Sequence, residues 1–452
     1  MSLPRYLEYK DSGIPWIGDI PDKWSIAPLS AVAAERSERN SGMREDNLLS
    51  LSFGQIIKKD IDSNEGLLPE SFETYQIIRA GDMILRLTDL QNDKRSLRSA
   101  IVREQGIITS AYLALTPTSI HPGFFSYLLR SYDLTKVFYS MGGGLRQSMK
   151  FSDLKRMPVV LPGVNEQIKI ASFLDRETAK IDALIAEQEK LIALLAEKRQ
   201  ATISHAVTRG LNPDAPMKDS GVSWIGEVPA HWQVYAIRRF LSRIEQGWSP
   251  ECFSRPAEGQ EWGILKSGCV NGGVFDARNN KALPETLAPN AQIEVRHGDL
   301  LMSRASGSPA LVGAVAYVEQ PPPRLMLSDK IFRLHLQKNI FPQFFAIAFS
   351  SNYARYQIEQ AISGAEGLAN NLPQSSLKSF TFVAPPREEQ QKIVTMVTSE
   401  TSKLEALLVQ AERAISLLRE RRSALITAAV TGQIDVRDAA AQIGTEEKTE
   451  AI

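Results

Sequence analysis

The 452-residue chain is poor in cysteine and has no long apolar run. Its two cysteines, Cys252 and Cys269, suit a reducing cytoplasm and argue against a disulfide framework. They lack the spacing of paired metal ligands, so no structural metal is expected. No stretch approaches the roughly 20 apolar residues that a membrane-spanning helix needs, and the N-terminus does not read as a signal peptide. We therefore expect a cytoplasmic protein without membrane contact.

The chain also has no net charge and no motif of a known catalytic site. Because 52 basic residues balance 52 acidic residues, it is not the strongly basic protein that coats nucleic acid non-specifically. Local basic patches remain possible. The sequence contains no GxxxxGK[ST] phosphate loop and no glycine-rich S-adenosylmethionine loop paired with an (N/D)PP(Y/F) motif, and its five histidines lack metal or triad spacing. We expect a chain that is not an enzyme by itself and binds no cofactor.

What the chain does contain is a long helical pattern, 165–210, without proline or glycine until its last residue. A second stretch, 388–434, superimposes on it, with Glu166-Gln167 falling on Glu389-Gln390. Apolar residues recur at steps of three and four in both, which is typical of a helix with one buried seam. The predicted seam residues are Ile170, Leu174, Ile181, Leu184, Leu191, Leu195, Ile393, Leu404, Leu407 and Leu418. Two related helices, each about 60 Å long, are expected to bury their seams against each other.

A shorter repeat precedes each half of the chain. Residues 11–24 read DSGIPWIGDIPDKW, and residues 219–232 read DSGVSWIGEVPAHW. Glycine and proline indicate a looped segment, and two tryptophans give each copy a large apolar surface. We call these repeats, together with the residues that lead into them from 1 and from 211, the clamp segments. Their tryptophans, Trp16, Trp24, Trp224 and Trp232, serve either to hold the fold together or to bind a partner, and the sequence leaves both readings open.

Between clamp and helix, each half carries a mixed segment of short β-rich runs and one helix. The turn Gly81-Asp82 corresponds to Gly298-Asp299, and Pro122 corresponds to Pro342 at the start of the helix. The predicted fold class is therefore α+β: two mixed globular domains with pseudo-two-fold symmetry, joined by two long helices that bury their seams against each other. The predicted segments are 1–24, the first clamp; 25–163, domain 1; 164–210, the central helix; 211–232, the second clamp; 233–386, domain 2; 387–436, the distal helix; and 437–452, a disordered tail.

The two domains share a framework but differ in their interior loops, which suggests two recognition surfaces of different specificity. Both domains are mildly basic, with 17 basic against 15 acidic residues in 25–160 and 15 against 12 in 233–386. Their loops carry side chains that can bond base edges or phosphates, although a merely solvated loop would have a similar composition. The candidate DNA-binding residues are Arg86, Thr88, Gln91, Asn92, Lys94, Arg95, Arg98, Arg146, Gln147, Lys266, Asn271, Arg304, Ser306, Lys330 and Asn370.

The double clamp, each copy followed by a domain and then by a helix that opens (N/E)EQxKI, resembles the specificity subunits of type I restriction–modification systems. The resemblance covers nearly the whole chain. It implies two α/β globular target-recognition domains, each reading one half of a split, asymmetric DNA site. It also implies that the two long helices form an antiparallel coiled coil, which sets the unread spacer. In that family the base-reading loops vary, so the candidate residues above rest on their chemistry alone.

The resemblance also implies partners and a setting. The clamp and helix regions would hold two modification subunits, which bind S-adenosylmethionine and methylate adenine in double-stranded DNA. Two restriction subunits, which use ATP and Mg²⁺, can join such a complex, and the setting is the bacterial or archaeal cytoplasm. Two other readings remain: a coiled-coil scaffold whose domains bind proteins, and a nuclease acting alone.

Overall fold

A computed structural model describes residues 3–61, 69, 71–90, 97–141, 148–362 and 370–438. The chain divides into two compact units, Met1–Glu189 with Arg413–Ile452, and Lys190–Glu412. Each unit contains one clamp segment, one globular domain and part of each long helix. Because the division falls inside the long helices, it does not test the predicted segment bounds. The predicted tail lies outside the described residues from 439 onward.

The first half of the chain forms short strands, four short helices and the first long helix, whose residues from Lys190 onward belong to the second unit. Its elements are β1 (Tyr9–Asp11), β2 (Asp19–Pro21), β3 (Ser25–Pro28), α1 (Leu29–Val32), β4 (Ala33–Arg36), β5 (Leu49–Ser52), β6 (Gln55–Lys58), β7 (Gln76–Ile78), β8 (Met83–Leu85), β9 (Ser99–Ile101), β10 (Gly106–Ile108), β11 (Leu113–Pro117), α2 (Pro122–Leu134), α3 (Val137–Met141), α4 (Phe151–Leu154), β12 (Pro158–Leu161) and α5 (Val164–Thr208).

The second half of the chain repeats this plan and ends in the second long helix, whose residues from Arg413 onward belong to the first unit. Its elements are β13 (Met217–Asp219), β14 (Glu227–Pro229), β15 (Gln233–Ala236), β16 (Leu241–Gln246), β17 (Gly263–Leu265), β18 (Asn280–Ala282), β19 (Leu300–Ser303), β20 (Ala305–Ser306), β21 (Val315–Tyr317), β22 (Leu325–Met326), β23 (Ile331–Leu336), α6 (Pro342–Phe349), α7 (Asn352–Ala361), β24 (Asn370–Asn371), α8 (Gln374–Ser379), β25 (Thr381–Ala384) and α9 (Arg387–Val430).

The central sheets of the two units have the same topology. Four antiparallel strands run in the order β4-β11-β8-β9 in the first unit and β16-β23-β19-β21 in the second. The matched Gly-Asp turns lie directly before β8 and β19. Pro122 and Pro342 occupy the first turn of α2 and α6, where proline needs no hydrogen-bond partner for a missing N–H. The duplication read from the sequence is therefore a duplication of the fold, and the predicted α+β class is confirmed.

Each clamp segment is a β-hairpin with one buried and one partly exposed tryptophan. Trp24 and Trp232 are each 1% exposed, whereas Trp16 is 38% and Trp224 is 47% exposed. In the first unit the clamp docks on the end of α9. Tyr9 Oη donates to the Gly432 carbonyl at 2.9 Å, and Gln433 Nε2 donates to the Asp19 carbonyl at 2.9 Å. The N-terminal clamp thus contacts the C-terminal end of α9 within the same unit.

The Glu-Gln pair at the start of each long helix connects that helix to its domain and clamp. Gln167 Oε1 accepts the His121 N–H at 2.8 Å, and Gln167 Nε2 donates to the Pro162 carbonyl at 2.9 Å. Gln390 repeats both contacts, with the Phe341 N–H and with the Pro385 carbonyl, each at 2.8 Å. Both glutamines are almost fully buried. Each one satisfies backbone groups that would otherwise be buried without partners.

The preceding glutamates fasten the clamp segments. Tyr6 Oη donates to Glu166 Oε1 at 2.8 Å, and Trp232 Nε1 donates to Glu389 Oε2 at 3.0 Å. Burial, reinforced by the bond to Glu166, raises the pKa of Tyr6, so its phenol stays protonated as a donor. The two halves of the sequence share this Glu-Gln pair, but the sequence alone does not indicate its role.

The long helices run antiparallel, as predicted. In the first unit Arg422 Nε lies 2.8 Å from Asp182 Oδ1, and Arg419 Nη2 lies 3.2 Å from Glu189 Oε1. Moving forward along α5 therefore means moving backward along α9. These pairs are largely exposed, and exposed pairs of this kind contribute about 0–1 kcal/mol each. They report the direction of the helices more than they stabilise it.

Burial along α5 places the seam on a slightly different stripe from the predicted one. Ile170, Leu174, Ile181 and Leu195 are buried, but Leu184 is 52% and Leu191 is 40% exposed. Positions less exposed than their neighbours follow steps of four and three throughout. Their order along α5 is Leu174, Thr178, Ile181, Ile185, Gln188, Ile192, Leu195 and Arg199.

The same stripe recurs on α9. Ile393 and Leu404 are buried and Leu418 is half-buried, whereas Leu407 is 47% exposed. The prediction that Leu184, Leu191 and Leu407 lie in the seam is wrong, because a step of three after Ile181 or Leu404 breaks the alternation of a heptad. Leu184, Leu191 and Leu407 lie outside the seam. The residues that follow them directly, Ile185, Ile192 and Leu408, lie in it. Contact of the three exposed leucines with a partner stays a prediction.

The corrected seam predicts unequal costs for two truncations one turn apart. Replacing Ile181 by alanine should lower the free energy of unfolding by about 2–4 kcal/mol, because it leaves a cavity at a buried position. Replacing Leu184 by alanine, the matched control on the same helix, should change it by no more than about 0.5 kcal/mol. Chemical denaturation of both full-length variants, followed by far-ultraviolet circular dichroism, measures the difference. Equal costs would restore the predicted stripe.

Candidate nucleic-acid interface

Two loops of each domain meet at the end of the strand that follows the Gly-Asp turn. In domain 1 the Met149 N–H donates to the Leu87 carbonyl at 3.0 Å, which joins the chain after β8 to the chain before α4. In domain 2 the Leu372 N–H donates to the Arg304 carbonyl at 2.9 Å. There the contact extends into a short ladder in which β20 pairs with β24. Both domains therefore present a paired-loop surface at the same place in the fold.

Several of the candidate residues of domain 1 lie outside the described residues. The structure describes residues 86–90 and 97–98 of the first loop and residues 148–150 of the second. The candidates whose positions are not described are Gln91, Asn92, Lys94, Arg95, Arg146 and Gln147.

Arg98 is described, and its position corrects the prediction that it contacts DNA. Its side chain is fully buried. Nη1 donates to the carbonyls of Arg86 at 3.1 Å and Thr88 at 2.8 Å, and Nη2 donates to the Asp89 carbonyl at 3.2 Å. A guanidinium enclosed by three carbonyls of one loop cannot reach a base edge. Arg98 instead fixes the backbone of the loop that carries Arg86 and Thr88, both of which are half-buried.

Helix α2 and the chain after it support this loop from below. The Asp133 carboxylate accepts the Arg98 N–H, and the Tyr139 hydroxyl accepts from Arg98 Nε at 2.9 Å. Arg130 Nη2 donates to the Ser99 carbonyl at 2.6 Å. Burial raises the pKa of Asp133 and lowers the pKa of Arg130, because each charge has lost water. Sequence reasoning missed both residues, although two charged side chains on an otherwise apolar helix indicate that these charges contact other parts of the fold.

In domain 2 the structure brings four candidates together. Arg304 donates from its backbone to the Lys330 carbonyl at 2.8 Å and from Nη1 to the Asp329 carbonyl at 3.1 Å. Ser306 pairs with Asn370 in the β20–β24 ladder. The Lys330 side chain is exposed, and Arg304, Ser306 and Asn370 are partly exposed. This group presents a cation, a hydroxyl and an amide at one surface, which is a suitable set for phosphates and base edges.

Lys266 and Asn271 belong to another part of domain 2. Lys266 precedes the 3-10 segment Ser267–Gly273, and Asn271 lies within it with its side chain exposed. This segment packs on β19 and β21. The two residues therefore lie beside the central sheet, and their contact with DNA stays a prediction.

The described residues contain no group of three or more histidine, cysteine, aspartate or glutamate side chains arranged to hold a metal ion. In the same residues, no helix is long and apolar enough to cross a membrane. Cys252 and Cys269 are not bonded to each other, and burial raises the pKa of the Cys269 thiol to about 12.

Three curated proteins similar to this chain are each described as the specificity subunit of a type I restriction enzyme. The specificity subunit of the type I restriction enzyme EcoKI from Escherichia coli strain K12 is 22% identical over 92% of this chain and 90% of its own length. The specificity subunit of EcoEI from Escherichia coli is 28% identical over 46% of this chain and 35% of its own length. This chain is a homologue of type I specificity subunits. No family model matches it.

The fold agrees with this kinship. A chain in a solved structure of a type I restriction–modification system superimposes with a TM-score of 0.61 at 17% identity, covering 91% of this chain and 98% of that one. This likeness concerns the fold. The resemblance read from the repeated motifs is confirmed.

The support of the first loop by Arg98 can be measured locally. Replacing Arg98 by methionine should leave buried carbonyls unpaired and lower the free energy of local opening by about 2–3 kcal/mol. Hydrogen exchange of the amides in 85–90 should accelerate accordingly. Arg304 to methionine is the control, since this partly exposed side chain should leave exchange in 85–90 unchanged. Identical exchange in wild type and the Arg98 variant would exclude the supporting role.

Proposed function

We propose that the chain selects the DNA sequence on which a type I restriction–modification complex acts, with each domain reading one half of a bipartite site. The observation that carries this proposal is the pairing of an identical framework with unlike loops. The chain after β8 and the chain after β19 meet a second loop at equivalent positions. In domain 1 the described part of this surface carries Arg86 and Thr88, and in domain 2 it carries Arg304, Ser306, Lys330 and Asn370.

The antiparallel helices support a spacer function. A helix of 45 residues, such as α5, is about 65 Å long. This exceeds one turn of B-DNA, about 34–36 Å, so a helix of this length is long enough to span the distance between successive major grooves. Phosphate contacts from lysine and arginine would position the chain, and loop contacts to base edges would specify the sequence.

The partners follow from the same proposal. Two modification subunits would bind the clamp and helix regions, where Trp16, Trp224 and the exposed Leu184 and Leu407 offer apolar surface. They would supply S-adenosylmethionine-dependent adenine methylation, and two restriction subunits would add ATP- and Mg²⁺-dependent cleavage where they are present. This chain would hold no cofactor, and the complex would work in the cytoplasm.

Exchange of one domain tests independent reading. Replacing residues 25–163 by the corresponding domain of another specificity subunit should change one half-site and leave the other, because each loop surface is built within its own domain. Methylation mapping in cells that express the chimera with the modification subunit gives the result. The reciprocal exchange of 233–386 is the control and should change the opposite half-site. Alteration of both half-sites by a single exchange would exclude independent reading.

Lengthening the helices tests the spacer role. Insertion of one heptad after Gln188 and after Ala411, which are equivalent seam positions, preserves the heptad phase and adds about 10 Å. The mapped spacer should grow by about three base pairs, at about 3.4 Å per base pair, while both half-sites stay the same. A four-residue insertion at the same places breaks the phase and should abolish methylation. A heptad variant that methylates the original spacer would contradict the proposal.

A further inference from the structure

The tip of one hairpin in domain 1 carries an aromatic residue in an unfavourable backbone conformation. Strands β5 and β6 pair antiparallel, with Ser52 opposite Gln55, so that Phe53 and Gly54 alone form the turn. Both turn residues have positive φ, 45° for Phe53 and 76° for Gly54. A two-residue turn with positive φ at both positions favours Asn-Gly, and a bulky side chain is uncommon there.

The Phe53 side chain also points into solvent. It is 82% exposed, whereas Leu49, Leu51 and Ile56 of the same hairpin pack in the small core beside the central sheet. The hairpin therefore has an apolar inner side that accounts for its position, and Phe53 is not part of it. The backbone conformation costs stability, and the exposed ring gains none through burial in return. Strain without a gain in packing is a pattern that occurs at functional sites.

The tip is held in place from the other side. Arg130 Nη2 donates at 2.6 Å to the Gly54 carbonyl and at 2.6 Å to the Ser99 carbonyl. A Cβ on Gly54 would displace the Arg130 guanidinium, and the positive φ of Gly54 also favours glycine. Since Ser99 follows Arg98 directly, the half-buried Arg130 joins the hairpin tip to the loop that carries Arg86 and Thr88. Phe53 therefore stands at the edge of the candidate nucleic-acid interface of domain 1.

The outer strand of the hairpin carries exposed polar and basic side chains. Gln55 follows the turn directly, whereas Lys58 and Lys59 lie at the opposite end of the hairpin, next to the exposed Asp60. Lysines can bind phosphates beside an aromatic ring that contacts bases. Exposed aromatic and aliphatic side chains of DNA-binding proteins insert between base steps and unstack them, and each base stacked on an aromatic ring strengthens binding appreciably.

We propose that Phe53 stacks on or wedges between bases of the DNA half-site read by domain 1. This inference rests on the proposed function, and it adds a residue that reads the shape and deformability of a base step. The strained turn fixes the ring at the hairpin tip, and Arg130 sets its distance from the base-reading loop.

The test replaces Phe53 by asparagine, the residue that the turn favours. The full chain with its modification subunits is bound to a duplex bearing the methylation-mapped site, with 2-aminopurine scanned through the half-site of domain 1. Wild type should raise the fluorescence at one step, because that base is unstacked. F53N should lose this signal and bind the duplex about tenfold more weakly, while its melting temperature stays the same or rises. F53W should retain the signal.

A matched control comes from the same domain. Met43 is also exposed and has a φ of 51°, so M43N relieves similar backbone strain without removing an aromatic ring. It should bind within about twofold of wild type. F53N with wild-type affinity and fluorescence would overturn the proposal, as would F53N that loses its modification subunits on size-exclusion chromatography. A wild-type complex that fails to discriminate the mapped site from other duplexes would instead refute the proposed function.

Discussion

The buried glutamine at the start of each long helix is the contact on which the rest of the structure depends. Gln167 and Gln390 each bond backbone groups on both sides of the helix start, one in the globular domain and one in the strand that leads into the helix. The neighbouring Glu166 and Glu389 bond the clamp segments. Because an unpaired buried polar group is costly, these bonds fix where domain and clamp join the helix. A recognition surface can be carried at a defined place only if that junction is defined.

The seam of the two long helices stabilises their pairing and also sets the register of one helix against the other. Their seam is mostly apolar, but Thr178, Gln188 and Arg199 on α5 occupy seam positions that an apolar residue would fill more favourably. Polar seam residues cost stability and specify alignment in coiled coils. Arg422, the equivalent of Arg199 on α9, turns outward to Asp182. Polar residues in the seam thus favour a single alignment of α5 against α9.

The candidate interface separates support from recognition. Arg98 and Asp133 are buried beneath the loops, Arg130 is half-buried, and all three bond backbone groups of the loops or the hairpin. Arg86, Thr88 and Phe53 are presented above them. Support of this kind lets exposed residues differ between the two domains while the strands and helices stay alike. It also explains why an exposed ring in a strained turn can be tolerated at the edge of domain 1.

The sequence by itself determined the duplication, the two long helices and the kinship, because periodicity and repeated motifs are local patterns that survive without coordinates. The antiparallel direction of the helices followed from the resemblance, and the contacts between Arg422 and Asp182 and between Arg419 and Glu189 show it. Only the tertiary structure decided the phase of the seam, where Ile185 replaces Leu184, because leucine is apolar on either face of a helix. It also decided that Arg98 supports a loop from within. Whether an arginine is buried or exposed depends on carbonyls, a carboxylate and a tyrosine that come from distant parts of the chain.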